Sequence, residues 1–181
     1  MRIVAGKYRH RIIDYPDNNP DIRPTKDMVR EGVFSALGDI SNYKVLDLFA
    51  GSGSMGIEAL SRGASICYFV DKSELAIKVI KKNCFNLGIE NARVMHADYD
   101  YVLNELITKG ERFDLIILDP PYASGFYTRV LKMIYDNNLI SDKGMVVVES
   151  EGNISYEDFA FIKSKRYHYG KTYVDILRRN N

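Results

Sequence analysis

The amino-acid sequence predicts an α/β fold, in which a mostly parallel sheet carries helices on both faces. Short apolar segments alternate with amphipathic segments from residue 42 onward. Such alternation indicates βαβ units and therefore parallel strands. The strand segments are apolar almost throughout, which is typical of strands that are covered on both faces.

Five strands are expected in this part of the chain, at residues 45–49, 66–70, 92–97, 113–118 and 145–148. Between them, helices are expected to end at Gly63 and Gly88, because glycine is common just past a helix C-terminus. Ser73 is placed to cap the second of these helices. The apolar residues of that helix recur at helical spacing: Leu75, Ala76, Val79, Ile80 and Leu87. Apolar spacing also predicts helices at 102–107 and 126–135.

The two ends of the chain lack this alternation. Residues 1–41 are predicted to form a basic part appended to a domain of residues 42–181, with a loop at 16–20. Thr25 is placed to cap a helix that ends before Gly38. The apolar face expected for this helix consists of Met28, Val29, Val33, Phe34 and Leu37. Near the other end, two strands between residues 156 and 179 meet at Gly170, which predicts an antiparallel hairpin at the sheet edge.

The composition excludes several classes of protein. With 46% hydrophobic and 27% charged residues, the 181-residue chain is neither disordered, collagen-like nor coiled coil. The 25 basic residues nearly balance the 24 acidic ones, so overall charge does not indicate a nucleic-acid binder. Cys67 and Cys84 are too few for a disulfide framework, and we expect buried thiols. The sequence lacks a membrane-length apolar stretch and an apolar signal core, so a cytoplasmic protein without a membrane partner is expected.

A glycine loop and three acids follow the predicted strands. The loop contains Gly51, Gly53 and Gly56 in the pattern G-x-G-x-x-G, between a strand and a helix. Asp71 ends the second strand, 20 positions after Gly51, where an acid can bind the hydroxyls of an adenosine ribose. Asp98 follows the third strand and is expected either to accept from an adenine amine or to cap a helix. These features predict an adenosine-containing cofactor, either a dinucleotide or S-adenosylmethionine.

Two further features favour S-adenosylmethionine. Asp47 lies just ahead of the glycines, where a carboxylate would attract the α-ammonium of that cofactor and repel a pyrophosphate. The second feature is the motif Asp119-Pro120-Pro121-Tyr122, at the end of the fourth strand. The residues expected to bind the cofactor are Asp47, Phe49, Ala50, Gly51, Gly53, Gly56, Asp71, Lys72, Asp98 and Tyr99.

The Asp119–Tyr122 motif suits the methylation of a nucleobase amine. Such an amine is a weak nucleophile because its lone pair is delocalised into the ring. The Asp119 carboxylate and the Pro120 carbonyl can accept hydrogen bonds from its two N–H groups. The rings of Pro120 and Pro121 would hold that carbonyl at a fixed angle. Tyr122 can stack on the base, which is worth roughly 1–3 kcal/mol. All four residues are therefore predicted to be catalytic, and no metal is required.

The residues at 47–60 (DLFAGSGSMGIEAL) and 118–122 (LDPPY) resemble the methyltransferases that modify N2 of a guanine in 16S ribosomal RNA, the RsmD type. Residues 2–9, 22–34, 148–150 and 169–172 are similar to that family's N-terminal strand pair, Arg-Pro-Thr helix segment and C-terminal pieces. Asp-Pro-Pro-Tyr alone is shared with DNA adenine and protein glutamine methyltransferases, so the flanking segments make the resemblance specific.

The resemblance implies a Rossmann-like, class I S-adenosylmethionine-dependent methyltransferase with a seven-stranded sheet and one antiparallel strand. It implies S-adenosylmethionine as the methyl donor and an assembled or assembling small ribosomal subunit as substrate; a monomer is expected. It also implies that Arg23, Pro24 and Thr25 lie near the mouth of the active site. Phenylalanine also occurs in the family at the position of Tyr122, and both rings can stack.

Local charge supports an RNA partner. The first 13 residues carry four basic residues and no acid, and the C-terminal stretch is basic as well. Tyrosines are interleaved with both, among them Tyr8 at the N-terminal end and Tyr167 at the C-terminal end. Together they would form a basic, aromatic rim. The residues predicted to contact RNA are Lys7, Arg9, Arg11, Arg23, Thr25, Arg30, Lys165, Arg166 and Lys171.

Three other functions compete with this hypothesis. A DNA adenine-N6 methyltransferase would use the same amine chemistry, but it usually needs a further target-recognition domain. A dinucleotide-dependent oxidoreductase would use the glycine loop and leave Asp119–Tyr122 unexplained. A catalytically silent RNA-binding module would not need the intact motif.

Overall fold

Seven strands form a sheet in the computed structural model, which describes residues 1–16, 27–120, 126–152, 154–156 and 161–179, without the side chains of 161–164. The strands are β1 (Lys44–Asp47), β2 (Ile66–Asp71), β3 (Ala92–His96), β4 (Phe113–Leu118), β5 (Ile140–Ser150), β6 (Phe161–Tyr169) and β7 (Thr172–Arg179). Their order across the sheet is β3-β2-β1-β4-β5-β7-β6. The first five run parallel, and β7 is antiparallel to both β5 and β6. The Rossmann-like fold with its antiparallel hairpin is therefore confirmed.

Helices cover both faces of this sheet. They are α1 (Asp27–Leu37), α2 (Ser54–Ser61), α3 (Glu74–Leu87), α4 (Tyr99–Thr108) and α5 (Phe126–Asp136). Buried residues of α1, α2 and α3 share one core with Ile3, Tyr8 and Ile13 of the N-terminal segment. Buried residues of α4 and α5 form the second core, on the other face. The N-terminal segment thus contributes to the main core, while the division at residue 41 stays a prediction.

The ends of two elements follow the sequence signals. Ser73 caps α3 by accepting a hydrogen bond from the Ala76 amide at 3.3 Å. Gly88 ends the same helix with a φ of 66°, a left-handed conformation that glycine adopts without a Cβ penalty. Gly170 forms the turn of the β6–β7 hairpin with a φ of 64°. Cys67 and Cys84 are buried free thiols, as expected.

Other details differ from the expectation. Met28 and Leu75 were placed on apolar helix faces, but they are 67% and 44% exposed. The buried residues of each helix form a complete stripe without them, so both side chains lie in the first turn on the solvent side. β1 ends at Asp47, so Phe49 lies in the loop. β5 begins at Ile140, five residues earlier than expected. Ile140 pairs with Phe113, and a register shift separates this pair from the rest of the β4–β5 ladder. The polar residues next to Ile140 gave no sign of a strand there.

The predicted N-terminal strand pair is reduced to one antiparallel bridge, between Arg2 and Ile12. The predicted cap at Thr25 lies outside the described residues, as does most of the predicted loop at 16–20. Among the described residues, no helix combines the length and the apolar character needed to cross a membrane.

Candidate active site

Acidic side chains meet at the carboxyl edge of four neighbouring strands. Asp71 and Asp47 end β2 and β1, Asp119 directly follows β4, and Glu149 lies near the end of β5. The strands are in register there, with Asp47 opposite Phe69 and Leu118 opposite Val148. This edge is where open α/β sheets bind ligands. The structure therefore brings together three predicted residues and adds Glu149, to which sequence reasoning assigned no role.

The glycine loop is held between β1 and α2 by its own backbone. The Ala50 amide donates to the Val70 carbonyl at 2.9 Å, and the Gly53 amide donates to the Ala50 carbonyl at 2.6 Å. Gly51 and Gly53 have φ values of 53° and 79°, a region that side chains with a Cβ rarely occupy. The glycines are needed for the path of this loop.

Asp71 is oriented by the loop that it faces. One of its carboxylate oxygens accepts a hydrogen bond from the Gly51 amide at 2.8 Å, and the other accepts from the Ser73 amide at 2.8 Å. The side chain is partly exposed. A carboxylate held in this way keeps lone pairs for a ligand hydroxyl, because each oxygen can accept more than one hydrogen bond.

Gly56 has a packing role in addition to its place in the motif. A Cβ at this position would lie 2.3 Å from the Phe69 ring and 2.7 Å from the Cys67 sulfur. Gly56 therefore lets α2 lie directly on β2. Its amide donates to the Asp47 carboxylate at 3.0 Å, so it would act on a cofactor through Asp47.

The strand-end carboxylates are costly to ionise without a ligand. Burial raises the pKa of Asp47 to about 7. The hydrogen bond from the Gly56 amide acts to lower this pKa, and the negative charge of Asp71 acts to raise it. Burial also raises the pKa of Glu149 to about 7. The pKa of Asp119 is raised well above its usual range by burial and then by the charges of Glu149 and Asp47. A cation or strong hydrogen-bond donors would lower these pKa values, since both stabilise the charged form.

Three aromatic rings lie beside the glycine loop. The ring centroids of Phe49 and Tyr99 are 5.5 Å apart, and Phe126 lies 4.8 Å from Phe49 and 4.7 Å from Tyr99. All three side chains are partly exposed. Phe126, the first residue of α5, was not among the predicted site residues, because nothing in its sequence context separates it from a core phenylalanine.

The remaining predicted cofactor residues occupy the same edge. Asp98 caps α4 by accepting from the Asp100 amide at 3.0 Å, so its expected capping role is confirmed while its role towards adenine stays a prediction. Lys72 is exposed, and its carbonyl lies 3.0 Å from Nε2 of His96. Ala50 is buried beneath the loop. Among the residues predicted to be catalytic, Pro120 is buried directly after Asp119, while Pro121 and Tyr122 lie outside the described residues.

Two of the residues predicted to contact RNA have structural partners. Arg30 is 1% exposed and donates to an Asp27 carboxylate oxygen at 2.8 Å, so its expected contact with RNA is wrong for this structure. Arg166 binds the buried Asp175 through two hydrogen bonds, at 2.7 and 2.6 Å. Tyr8, expected in the aromatic rim, is buried in the core. Arg30 and Tyr8 are thus covered by the fold, while the contact of the partly exposed Arg166 with RNA stays a prediction.

The other described basic candidates lie at the surface, where Arg11 also donates a hydrogen bond to the Asn86 carbonyl at 3.3 Å. Lys7, Arg9, Arg11, Lys165 and Lys171 are exposed. Because side chains alternate along a strand, Lys165 and Arg166 point to opposite faces of β6, so the hairpin cannot present both to one RNA surface. Arg23 and Thr25 lie outside the described residues.

A buried polar network holds the N-terminal segment against α2. Glu58 is fully buried and accepts hydrogen bonds from the amides of Val4 and Ala5, at 2.8 and 3.0 Å. Its carboxylate also binds Arg62 at 2.8 Å and lies 4.0 Å from Arg30. Glu58 lies two residues after Gly56 in sequence, but a lone acid in a helix gives no signal that its partners are main-chain amides 54 and 53 residues away.

Comparisons with known proteins agree with this arrangement. A family model described as "Conserved hypothetical protein 95" matches residues 1–178. The chain is 35% identical over 152 residues to the ribosomal RNA small subunit methyltransferase D of Escherichia coli, covering 83% of this chain and 75% of the relative. The chain belongs to this methyltransferase family.

The structural similarity extends over the whole chain. A solved structure named "Putative methyltransferase yhhF from Escherichia coli" has a TM-score of 0.86 and 29% identity, covering 99% of this chain and 97% of that one. The methyltransferase fold also occurs in a more distant structure, SMU.776, which was crystallised with SAH; its TM-score is 0.67 and its identity 14%, with 83% of this chain and 48% of that chain covered. At that identity the likeness concerns the fold alone.

Proposed function

We propose that this methyltransferase family member transfers a methyl group from S-adenosylmethionine to the N2 amine of a guanine in 16S ribosomal RNA of the small subunit. The observation that carries the proposal is the partly buried Asp119 carboxylate, which follows β4 beside the glycine loop and has no hydrogen-bond partner among the described residues. The name of the Escherichia coli relative supports the ribosomal substrate. Such a substrate places the reaction in the cytoplasm.

The residues present fit S-adenosylmethionine, which would supply an electrophilic methyl group on a sulfonium. Asp47 is 2% exposed and carries a raised pKa, so it favours a cation such as an α-ammonium. Asp71 is held by the Gly51 and Ser73 amides and has lone pairs left for ribose hydroxyls. Asp98 would accept a hydrogen bond from the adenine amine. The rings of Tyr99, Phe49 and Phe126 would cover the adenine ring.

Asp119 and Pro120 would hold the amine. The Asp119 carboxylate accepts one N–H and the Pro120 carbonyl the other, so that the nitrogen lone pair points away from both acceptors. A new N–C bond then forms as the donor's C–S bond breaks and its electrons stay on sulfur. The nitrogen becomes cationic and acidic only at that stage, and its proton passes to Asp119 or to water. Asp119 therefore acts mainly by position and charge.

The exposed basic residues of the N-terminal segment would bind the phosphate backbone. Lys7, Arg9 and Arg11 lie on a segment whose amides are bound by Glu58 and Ser61. These hydrogen bonds attach the backbone that carries the three cations to α2, the helix that follows the glycine loop. Phosphate contacts of this kind position RNA without reading its sequence.

The test is methyl transfer from isotopically labelled S-adenosylmethionine to small subunits from cells lacking the enzyme, to naked 16S RNA and to duplex DNA. Mass spectrometry of the nucleosides would then identify the product. We expect N2-methylguanosine with wild-type protein, and no turnover but retained S-adenosylhomocysteine binding with Asp119→Asn. Asp136→Asn is the control, since Asp136 is a surface carboxylate bound to Lys132.

Other products would give other conclusions. Label in N6-methyladenosine, or in its deoxy form, would identify an adenine methyltransferase in place of the proposed one. Normal turnover by Asp119→Asn would exclude the assigned role of the carboxylate. If the protein binds S-adenosylhomocysteine but labels none of the substrates, the cofactor assignment would stand and the proposed substrate would be rejected.

A further inference from the structure

Glu149 lies beside Asp119 at the edge of the sheet. Leu118 and Val148 are paired in register on parallel neighbouring strands, so the next residue of each strand is one of these two acids. The Glu149 backbone is fixed by β7, where it pairs with Val174. Its carbonyl also accepts a hydrogen bond from the Tyr127 hydroxyl at 2.8 Å. The Glu149 carboxylate is thus held next to the predicted catalytic one.

Neither carboxylate has a partner in the part of the chain that the structure describes. Asp119 and Glu149 are both partly buried, and no described side chain or amide forms a hydrogen bond or ion pair with their oxygens. Two neighbouring acids that repel each other are unfavourable for the fold, and ligand donors would relieve this repulsion.

The Watson–Crick edge of guanine supplies matching donors. Its N2 amine has two N–H groups, and the adjacent N1 carries a third. Asp119 and the Pro120 carbonyl account for the amine under the proposed function, which leaves N1–H to be bound. Adenine presents an amine beside N1 as well, but that N1 is an acceptor and would face a carboxylate with its own lone pair.

We propose that Glu149 determines base specificity by accepting a hydrogen bond from N1–H of the target guanine. This inference rests on the proposed function, and it names the group that separates guanine from adenine in a site whose amine chemistry fits both. A site built to bind a donor discriminates strongly against a base that lacks it, because the protein acceptor is then left unpaired. The raised pKa of Glu149 agrees with a carboxyl group that needs a donor nearby in order to ionise.

The test compares guanine with 2-aminopurine, which keeps the 2-amine and has an unprotonated N1. Small subunits would be reconstituted with 16S RNA ligated from two pieces, so that the methylated guanosine can be replaced by 2-aminopurine riboside. For the wild type, we expect kcat/KM to favour guanine by about 10- to 100-fold, as for loss of a charged hydrogen bond. Glu149→Gln should bring the two bases within about threefold, since an amide can accept from N1–H or donate to a bare N1.

Two further readouts separate specificity from folding. S-adenosylhomocysteine affinity should be unchanged in Glu149→Gln, and the affinity of the S-adenosylhomocysteine-bound variant for the two subunits should lose its preference for guanine. Glu90→Gln is the matched control, because Glu90 is exposed just before β3, at the opposite edge of the sheet. It should retain the wild-type ratio.

The outcomes distinguish this inference from the proposed function. Equal kcat/KM values for guanine and 2-aminopurine with the wild type would overturn the role of Glu149 without any variant. A folded Glu149→Gln protein with the wild-type ratio would do the same. Absence of guanine N2 methylation by the wild type would overturn the proposed function, and this inference with it.

Discussion

At the residue scale, the site depends on acids that are kept from water. Asp47, Asp119 and Glu149 lie on three neighbouring strands, and each has a raised pKa caused first by burial. Asp119 is further affected by the charge of Glu149. Protonation of one acid therefore changes the pKa of its neighbour, and the pH dependence of the methyl-transfer rate should reveal this coupling.

Methyl transfer should lose rate as pH falls, because a protonated Asp119 accepts the amine poorly. Glu149→Gln removes a negative neighbour, which lowers the pKa of Asp119 and moves the acid limb of kcat/KM to lower pH. The measurement is the pH profile of kcat/KM on guanine from about pH 6 to about pH 9 for wild type and for Glu149→Gln. An acid limb that stays in place would show that the two groups are not coupled in the working enzyme.

Burial of Asp47 should make the cofactor-free protein less stable as pH rises. Its pKa is about 7 in the folded state and 3.8 as the reference, so the folded state binds more protons between these values. Asp47 contributes its full stabilisation to the folded state below about pH 4. This contribution, on the order of 4 kcal/mol, is lost as the pH rises through about 7. Asp47→Asn should remove this dependence and weaken S-adenosylhomocysteine binding.

Chemical denaturation at several pH values would test this expectation. The difference in unfolding free energy between Asp47→Asn and wild type should grow in favour of the variant as pH rises towards 8. A difference that does not change with pH would mean that Asp47 does not carry this proton.

At the element scale, α2 connects the cofactor loop to the N-terminal segment. Its first turn packs on β2 through Gly56, where a Cβ would meet Phe69 and Cys67. Its fifth residue, Glu58, binds the amides of Val4 and Ala5. α3 adds a second connection, since Asn83 accepts from the Asp14 amide at 2.8 Å and donates to the Ser52 carbonyl at 3.2 Å. The segment is therefore bound to the loop from two sides.

Loss of the Glu58 charge should destabilise the protein strongly. Glu58→Gln removes the anion that binds Arg62 and one of the two carboxylates near the buried Arg30, and we expect a cost of about 3–5 kcal/mol. Urea unfolding would measure it. Glu74→Gln is the control, because Glu74 and Lys78 form an exposed pair and exposed ion pairs contribute little to stability. A Glu58 variant as stable as this control would exclude the network as a support of the fold.

At the scale of the whole molecule, the exposed cations and the strand-end acids belong to different parts of the fold. The acids lie at one edge of the sheet, while Lys7, Arg9 and Arg11 lie on the N-terminal segment outside it. Phosphate binding and base chemistry are thereby separated, which lets the basic segment contribute affinity without changing the reaction.

Arg9→Ala and Arg11→Ala should weaken RNA binding at low salt. Each should also reduce the slope of log affinity against log salt by about one, if each cation contacts one phosphate. Filter binding over a salt series would measure both effects. Arg30→Ala should instead lower the unfolding free energy, because its side chain is buried against Asp27. Unchanged slopes in both surface variants would place the RNA elsewhere.

The sequence alone determined the fold class and the acids that follow its strands. Apolar alternation predicts buried parallel strands, and parallel strands end at one edge, so Asp47, Asp71, Asp98 and Asp119 could be grouped without coordinates. Caps such as Ser73 and Gly88 are also local, because they depend on residues within one turn of a helix.

Only the tertiary structure decided which charged groups have internal partners. Arg30 looks like a surface cation in sequence, and Glu149 looks like the end of one more strand. Arg30 binds Asp27 of its own helix, but it also lies near Glu58 of α2 and donates to the Arg2 carbonyl of the N-terminal segment. The neighbour of Glu149 is Asp119, which the register of β4 and β5 places beside it. Burial and pairing between distant segments are properties of packing, and a local pattern does not contain them.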